Sequence, residues 1–155
     1  MSYVFDTNVF VTLFTNFYPS TFVSLWEKFD LLVGAGEVVS TREVMREIEG
    51  QDDDLLAWTK ENAEIFAIPN AEEGQFVSSI FSVPHFQANI EQQKIWKGGK
   101  NADPFVIAKA AVDGRRVVTL ERRKPNSAKI PNICEHFEIE CLNFEEFMQM
   151  ENWKF

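Results

Sequence analysis

Three observations in the sequence predict an α/β fold built on a parallel sheet. Tyr3, Val4 and Phe5 form a short aromatic and β-branched run that ends at a carboxylate, Asp6, as suits a strand buried on both faces of a sheet. Val9, Phe10 and Leu13 then recur at helical spacing, so the chain turns from strand to helix at Thr7-Asn8. Arg116-Val117-Val118-Thr119-Leu120 repeats the theme and ends at a second acid, Glu121. In an open α/β sheet such turns lie at the carboxyl ends of the strands, where ligands bind. Asp6 is therefore expected to face a cleft.

Between these two strands the elements follow in order. Pro19 opens a helix carrying Phe22, Leu25, Trp26, Phe29, Leu32 and Val33 at three- and four-residue steps, until Gly34. Gly34-Ala35-Gly36 resembles a dinucleotide loop, but no third glycine arrives before Gly50, which argues against a nucleotide fold. Glu37-Val38-Val39 is a second strand. Ser40 caps the next helix, with Glu43 completing a capping box. Glu47 lies one turn further on, beside Val44 and Ile48, and is the first acid to pair with Asp6; an exposed helix acid with a partner one turn away is the equal alternative. Asp52, Asp53 and Asp54 suit the positive end of a helix dipole, and Leu55, Leu56 and Trp58 continue that helix. Ile65-Phe66-Ala67-Ile68 is an apolar run of open type. Asn70 caps a helix through Phe76, Val77, Ile80 and Phe81, which Pro84 ends. Phe86, Ile90 and Trp96 supply one more, leading into Gly98-Gly99-Lys100-Asn101. A lone His85, without a partner in view, is not assigned a base role.

Pro104 suits a first helical position and makes Asp103 the N-cap of a helix through Phe105, Ala108 and Val112 to Gly114. After Glu121, Arg122-Arg123-Lys124-Pro125-Asn126-Ser127 has loop composition and dense positive charge. It is the candidate for holding a phosphate backbone. Ile130-Pro131 opens a helical turn through Cys134 and Phe137. Glu138 to Leu142 alternates as a half-buried strand with Cys141 inward, and Asn143 to Glu146 again reads as a capping box. Cys134, His136 and Cys141 lack the paired spacing of a zinc site.

At 155 residues the chain is expected to form a single domain, residues 1–155. No window reaches the apolar length of a membrane span, no export signal is expected at the start, and the two cysteines are expected to be reduced thiols in a cytoplasm. The net charge of −9 argues against a protein that coats nucleic acid. Its distribution is uneven, however. From Glu91 to Ile130 ten Lys and Arg face four acids, whereas the first ninety residues hold fourteen acids against four bases. Solvated helix faces explain any single charge, while a whole segment of one sign raises a phosphate-contacting face as an alternative.

Asp6, Glu47, Asp103 and Glu121 are thus four acids that a parallel sheet would bring together. Carboxylates that share a pocket repel each other, and oxygen-only ligands favour Mg²⁺ or Mn²⁺. Such ions activate water and stabilise attack on phosphorus, in pairs about 4 Å apart.

The sequence here resembles the PIN domains, which include the VapC-type ribonuclease toxins of toxin–antitoxin pairs. Val4-Phe5-Asp6-Thr7-Asn8, Ser40 through Val44 to Glu47-Ile48, Ala102-Asp103-Pro104-Phe105-Val106-Ile107-Ala108 and Val117-Val118-Thr119-Leu120-Glu121 carry the resemblance. Tyr18-Pro19, Leu25-Trp26, Leu55 to Trp58 and Lys129-Ile130-Pro131 extend it towards a PIN-like group catalogued as a domain of unknown function. The resemblance implies a three-layer α/β/α sandwich with a central parallel sheet and a Mg²⁺- or Mn²⁺-dependent ribonuclease cutting single-stranded RNA. It implies Asp6, Glu47 and Asp103 as the acidic triad, with Asn8 and Thr119 as supporting polar positions. Glu121 departs from the Asp that many members carry, which puts a second metal in question. Arg122, Arg123 and Lys124 would position the RNA backbone. An antitoxin inserting Arg or Lys into the pocket is the implied partner, and a homodimer is plausible by the same resemblance. The competing reading is a noncatalytic module that binds RNA or protein, its acids serving as caps and solubilising charge. An aspartyl phosphatase is disfavoured, because Asn8 stands where a second Asp is usual.

Overall fold

The computed structural model describes residues 1–50, 53–96 and 98–155. Five short strands form one sheet in the order β3-β2-β1-β4-β5, and each adjacent pair runs parallel. They are β1 (Tyr3–Phe5), β2 (Val38–Thr41), β3 (Phe66–Ala67), β4 (Arg116–Val118) and β5 (Cys141–Leu142). In register, Tyr3 pairs with Val38 on one side and Arg116 on the other, and Phe5 pairs with Val118. The central strand is thus flanked by segments far away in sequence. With β2 and β4 on opposite sides of β1, the strand order reverses there, and the carboxyl ends of β1 and β4 bound the crevice where doubly wound sheets bind ligands.

Alternation along β1 assigns the two helical layers. Tyr3 and Phe5 point to one face. There Phe5 meets Phe10 of helix α1 (Thr7–Asn16) at 5.6 Å between ring centroids and Phe29 of α2 (Val23–Gly34) at 5.6 Å. Phe147 of α9 (Phe144–Met150) stands edge-on to both Tyr3, at 4.8 Å, and Phe5, at 5.0 Å. Trp58 of α4 (Asp53–Glu61) closes this layer against Phe10, Phe29 and Phe66. The opposite face is covered by α7 (Asp103–Asp113), which crosses β1, β2 and β4 with Val106, Ile107 and Ala110 buried. Helix α5 (Ala71–Phe81) packs on α7, and α6 (Pro84–Trp96) packs on α5. The remaining helices among the described residues are α3 (Arg42–Ile48) and α8 (Ile130–His136).

Several local expectations hold. Asn70 with Glu73 and Asn143 with Glu146 both form complete capping boxes, and Gly114 ends α7 in the left-handed region at φ 67°. The apolar run at 65–68 becomes β3 after a single tight turn over Ala63–Ile65.

Other expectations are displaced, and each displacement has a physical reason. Thr41, not Ser40, is the cap of α3, accepting from Val44 N at 3.3 Å. Ser40 is still in β2, and its buried hydroxyl donates to Phe5 O at 2.7 Å. Glu43 instead pairs with Arg42 and Arg46 on the helix surface. Ala102 is the N-cap of α7, so Asp103 is its first helical residue and Pro104 the second. On β5 Leu142 is the buried residue and Cys141 only half-buried, while Cys134 of α8 is the fully buried thiol. Trp96 ends α6 in solvent. Asp52 of the expected acidic cap falls outside the described residues, as does Lys97 of the basic segment, while α4 begins at Asp53.

The aromatic layer concentrates on Phe147, which touches the central strand twice and stacks on Phe144 at 5.9 Å. Phe147→Ala is expected to lower stability by about 3–5 kcal/mol in urea denaturation. A loss under about 1 kcal/mol would mean that α9 contributes little to the core.

Candidate metal centre

Asp6 sits where β1 ends and α1 begins, at extended φ −79° and ψ 160°. Its Oδ1 accepts from Thr7 N at 2.8 Å, capping α1, and its Oδ2 accepts from the Thr119 hydroxyl at 2.8 Å. Thr119 Oγ1 in turn accepts from Glu121 N at 3.1 Å. Asn8 Oδ1 accepts from Leu120 N at 3.1 Å, so the first turn of α1 also holds the end of β4. The two polar positions expected to support the acids, Asn8 and Thr119, therefore tie the β4 exit to the β1 exit.

Carboxylate oxygens of Asp6, Asp103 and Glu121 all lie within 4.8 Å of one another. Asp6 and Asp103 are only 3 % and 2 % exposed, and Glu121 is half-buried. Asp103 reaches the cluster because it opens α7 rather than capping it, with its own N–H donating to Asn101 Oδ1 at 3.2 Å. Glu121 reaches it from the loop after β4, while its Oε2 accepts from Ile130 N at 2.8 Å, at the start of α8. Glu47 is not in the close cluster. It lines the same cavity of about 600 Å³ and accepts from the Thr7 hydroxyl at 2.6 Å.

Thr7, Val11, Thr12 and Lys100 of this cavity were given no functional role from the sequence, and two of them bear on the acids. Thr7 joins Glu47 to the turn that carries Asp6, a bond across forty positions that no local pattern announces. Lys100 brings a cation to the acidic wall from the loop after α6, where Gly98 and Gly99 both adopt positive φ. The glycine pair in Gly98-Gly99-Lys100 was the available signal. The run 122–124 divides. Arg122 and Arg123 border a depression beside Pro131 and Asn143, with Arg123 ion-paired to Glu135 at 2.5 Å. Lys124 faces a separate groove beside α6.

Burial raises the Asp6 carboxyl, and the nearby Glu121 charge raises it further, to about 7. The hydrogen bonds from Thr119 and Thr7 oppose the rise, and Glu47 adds to it. A buried, mutually repelling set of oxygen donors suits a hard dication such as Mg²⁺ or Mn²⁺ and is a poor zinc site. The residues present fit such an ion.

A parallel sheet with helices on both faces gives the chain a PIN-like α/β fold. The chain belongs to the family described as Domain of unknown function (DUF4411), whose model matches residues 3–155. No curated protein sequence matches it. Among solved structures it is similar to VapBC2 from Rickettsia felis bound to a DNA fragment from their promoter. That likeness has 15% identity and a TM-score of 0.50, and covers 93% of this chain and 99% of that one. At this identity the likeness speaks for the fold.

The raised Asp6 carboxyl makes stability depend on pH. Its folded value, about 7, exceeds its ordinary 3.8, so the contribution of this group to metal-free stability is full below about pH 4 and is lost as pH rises towards 7. The loss is on the order of 4 kcal/mol. Thermal unfolding in EDTA between pH 4 and 8 is expected to show this fall, with Mn²⁺ restoring Tm at pH 8 and Asp6→Asn flattening the profile. A metal-free Tm that rises over this range would contradict the assignment.

Proposed function

We propose that this protein is an endoribonuclease that hydrolyses single-stranded RNA with Mg²⁺ or Mn²⁺, as the toxin of a toxin–antitoxin pair. The observation that carries this reading is the convergence of the Asp6, Asp103 and Glu121 carboxylates at the sheet's switch point. Bound there, a dication would make water nucleophilic at neutral pH and offset the charge that grows on the phosphate. Asp6, Asp103 and Glu121 would hold it directly. Glu47 would join through water, its carboxylate oriented by the Thr7 hydroxyl. Thr119 and Asn8 would keep the two strand exits fixed, so that the acids stay converged when charged. Arg122, Arg123 and Lys124 would contact the RNA backbone, with Arg123 first having to give up Glu135.

The likeness to VapBC2 supports an antitoxin partner. An Arg or Lys inserted among the acids would neutralise them as an ion does, and would block the site.

Cleavage of a mixed pool of single-stranded RNA tests this reading. Cutting is expected with Mg²⁺ or Mn²⁺, none in EDTA, and at least about a hundredfold loss in Asp6→Asn and in Asp103→Asn. No cutting by folded, metal-supplied protein free of a copurifying inhibitor would sink it, and retained RNA affinity in that case would favour a noncatalytic binding module.

A further inference from the structure

A second groove opens between the last turns of α6 and the loop of residues 121–129, and Glu121 belongs to the walls of both this groove and the acidic cavity. Trp96 forms one side. It is 74 % exposed, whereas Trp26, Trp58 and Trp153 are buried or half-buried, so of the four tryptophans it alone stands in solvent. Lys124 and Lys129 line the same groove, with the amide side chains of Gln92 and Asn89 beside them.

The backbone of the lysine-bearing wall is held in place by side chains. Asn132 Nδ2 donates to Lys124 O at 2.7 Å and its Oδ1 accepts from Lys124 N at 3.2 Å. Glu121 accepts from Ile130 N at the other end of the loop. Among the described residues, neither the Lys124 nor the Lys129 ammonium takes part in an ion pair. The groove therefore joins a fixed wall carrying unspent positive charge to a flat, exposed indole, in a protein whose net charge is −9.

We propose that this groove is the track of the single-stranded RNA, with Trp96 stacking on a base and Lys124 and Lys129 taking phosphates next to the acidic cavity. The proposal rests on the ribonuclease reading and adds the path of its substrate. Unpaired bases stack on aromatic faces while a basic groove follows the backbone, and the stacking tolerates any base. A protein partner is the poorer fit, because the buried centres of protein interfaces are depleted in lysine. Duplex is the poorer fit, since bases inside a helix present no free face.

Steady-state cleavage of a short oligoribonucleotide with Mn²⁺ separates the possibilities. Trp96→Ala is expected to raise KM roughly tenfold or more, to leave kcat near wild type and to leave Mn²⁺ binding by calorimetry unchanged. Trp96→Phe, which keeps an aromatic face, is expected to restore most of the KM. Lys124→Gln and Lys129→Gln should each flatten the dependence of log KM on log salt by about 0.7. A wild-type KM in Trp96→Ala, or a salt dependence that neither lysine alters, overturns the groove while leaving the nuclease standing. Loss of a protein inhibitor's binding in Trp96→Ala, with KM for RNA intact, reassigns the groove to that partner and equally overturns the proposal. If wild-type protein neither cuts nor binds RNA, both readings fall together.

Discussion

The Asp6 carboxylate, buried at the exit of the central strand, is the constraint around which the rest of the molecule is arranged. Burying a carboxylate is costly unless hydrogen bonds or opposite charge compensate it. Here both oxygens are bonded, one by the helix that follows and one by Thr119, just past the end of the neighbouring strand. That compensation is incomplete, because Glu121 and Asp103 stand close by with charge of the same sign. The frustration is local and sits at the switch point of the sheet, while the aromatic layer on one face and α7 on the other supply the packing that tolerates it. Strain of this kind marks places where stability has been traded for chemistry.

Much of this was legible in the residues, because strand exits and helix faces are local patterns. Tyr3 to Phe5 and Val117 to Leu120 read as buried-strand patterns because no charged side chain interrupts them until the acid arrives. What failed were choices between adjacent residues able to do the same job. Ser40 and Thr41 can both cap a helix, and the choice falls to Thr41 because Ser40 is still paired in β2, opposite Phe66. Asp103 looks like a better cap than Ala102, yet as the first helical residue it joins the acid cluster. Glu121 was doubtful on account of its extra methylene. In the structure that longer side chain touches the start of α8 with one oxygen and the cluster with a carboxylate oxygen. The bond from Thr7 to Glu47 and the groove beside Trp96 depend on residues brought together only by the fold, and no window of sequence contains them.

The charge asymmetry looks different once the partners are known. Arg115 donates to the backbone of Gly36, Arg116 pairs with Glu140, Lys109 pairs with the buried Glu73, and Arg123 pairs with Glu135. These bases hold elements together and are largely unavailable to a polyanion. Lys100 lines the acidic cavity, and Lys124 and Lys129 line the groove that shares Glu121 with it. In a chain with a net charge of −9, these lysines put local positive charge beside the acids that the net charge alone would not suggest.

The strand order also governs when the protein becomes complete during its synthesis. β1 is the central strand and leaves the ribosome before both of its neighbours; the second of them, β4, follows more than a hundred residues later, and the bond from Thr119 to Asp6 spans 113 positions. Contacts so distant in sequence make for slow folding and leave an apolar strand exposed in the growing chain. They also ensure that Asp6 meets Asp103 and Glu121 only when translation has passed both. The acidic centre is therefore assembled late, and a truncated nascent chain cannot contain it.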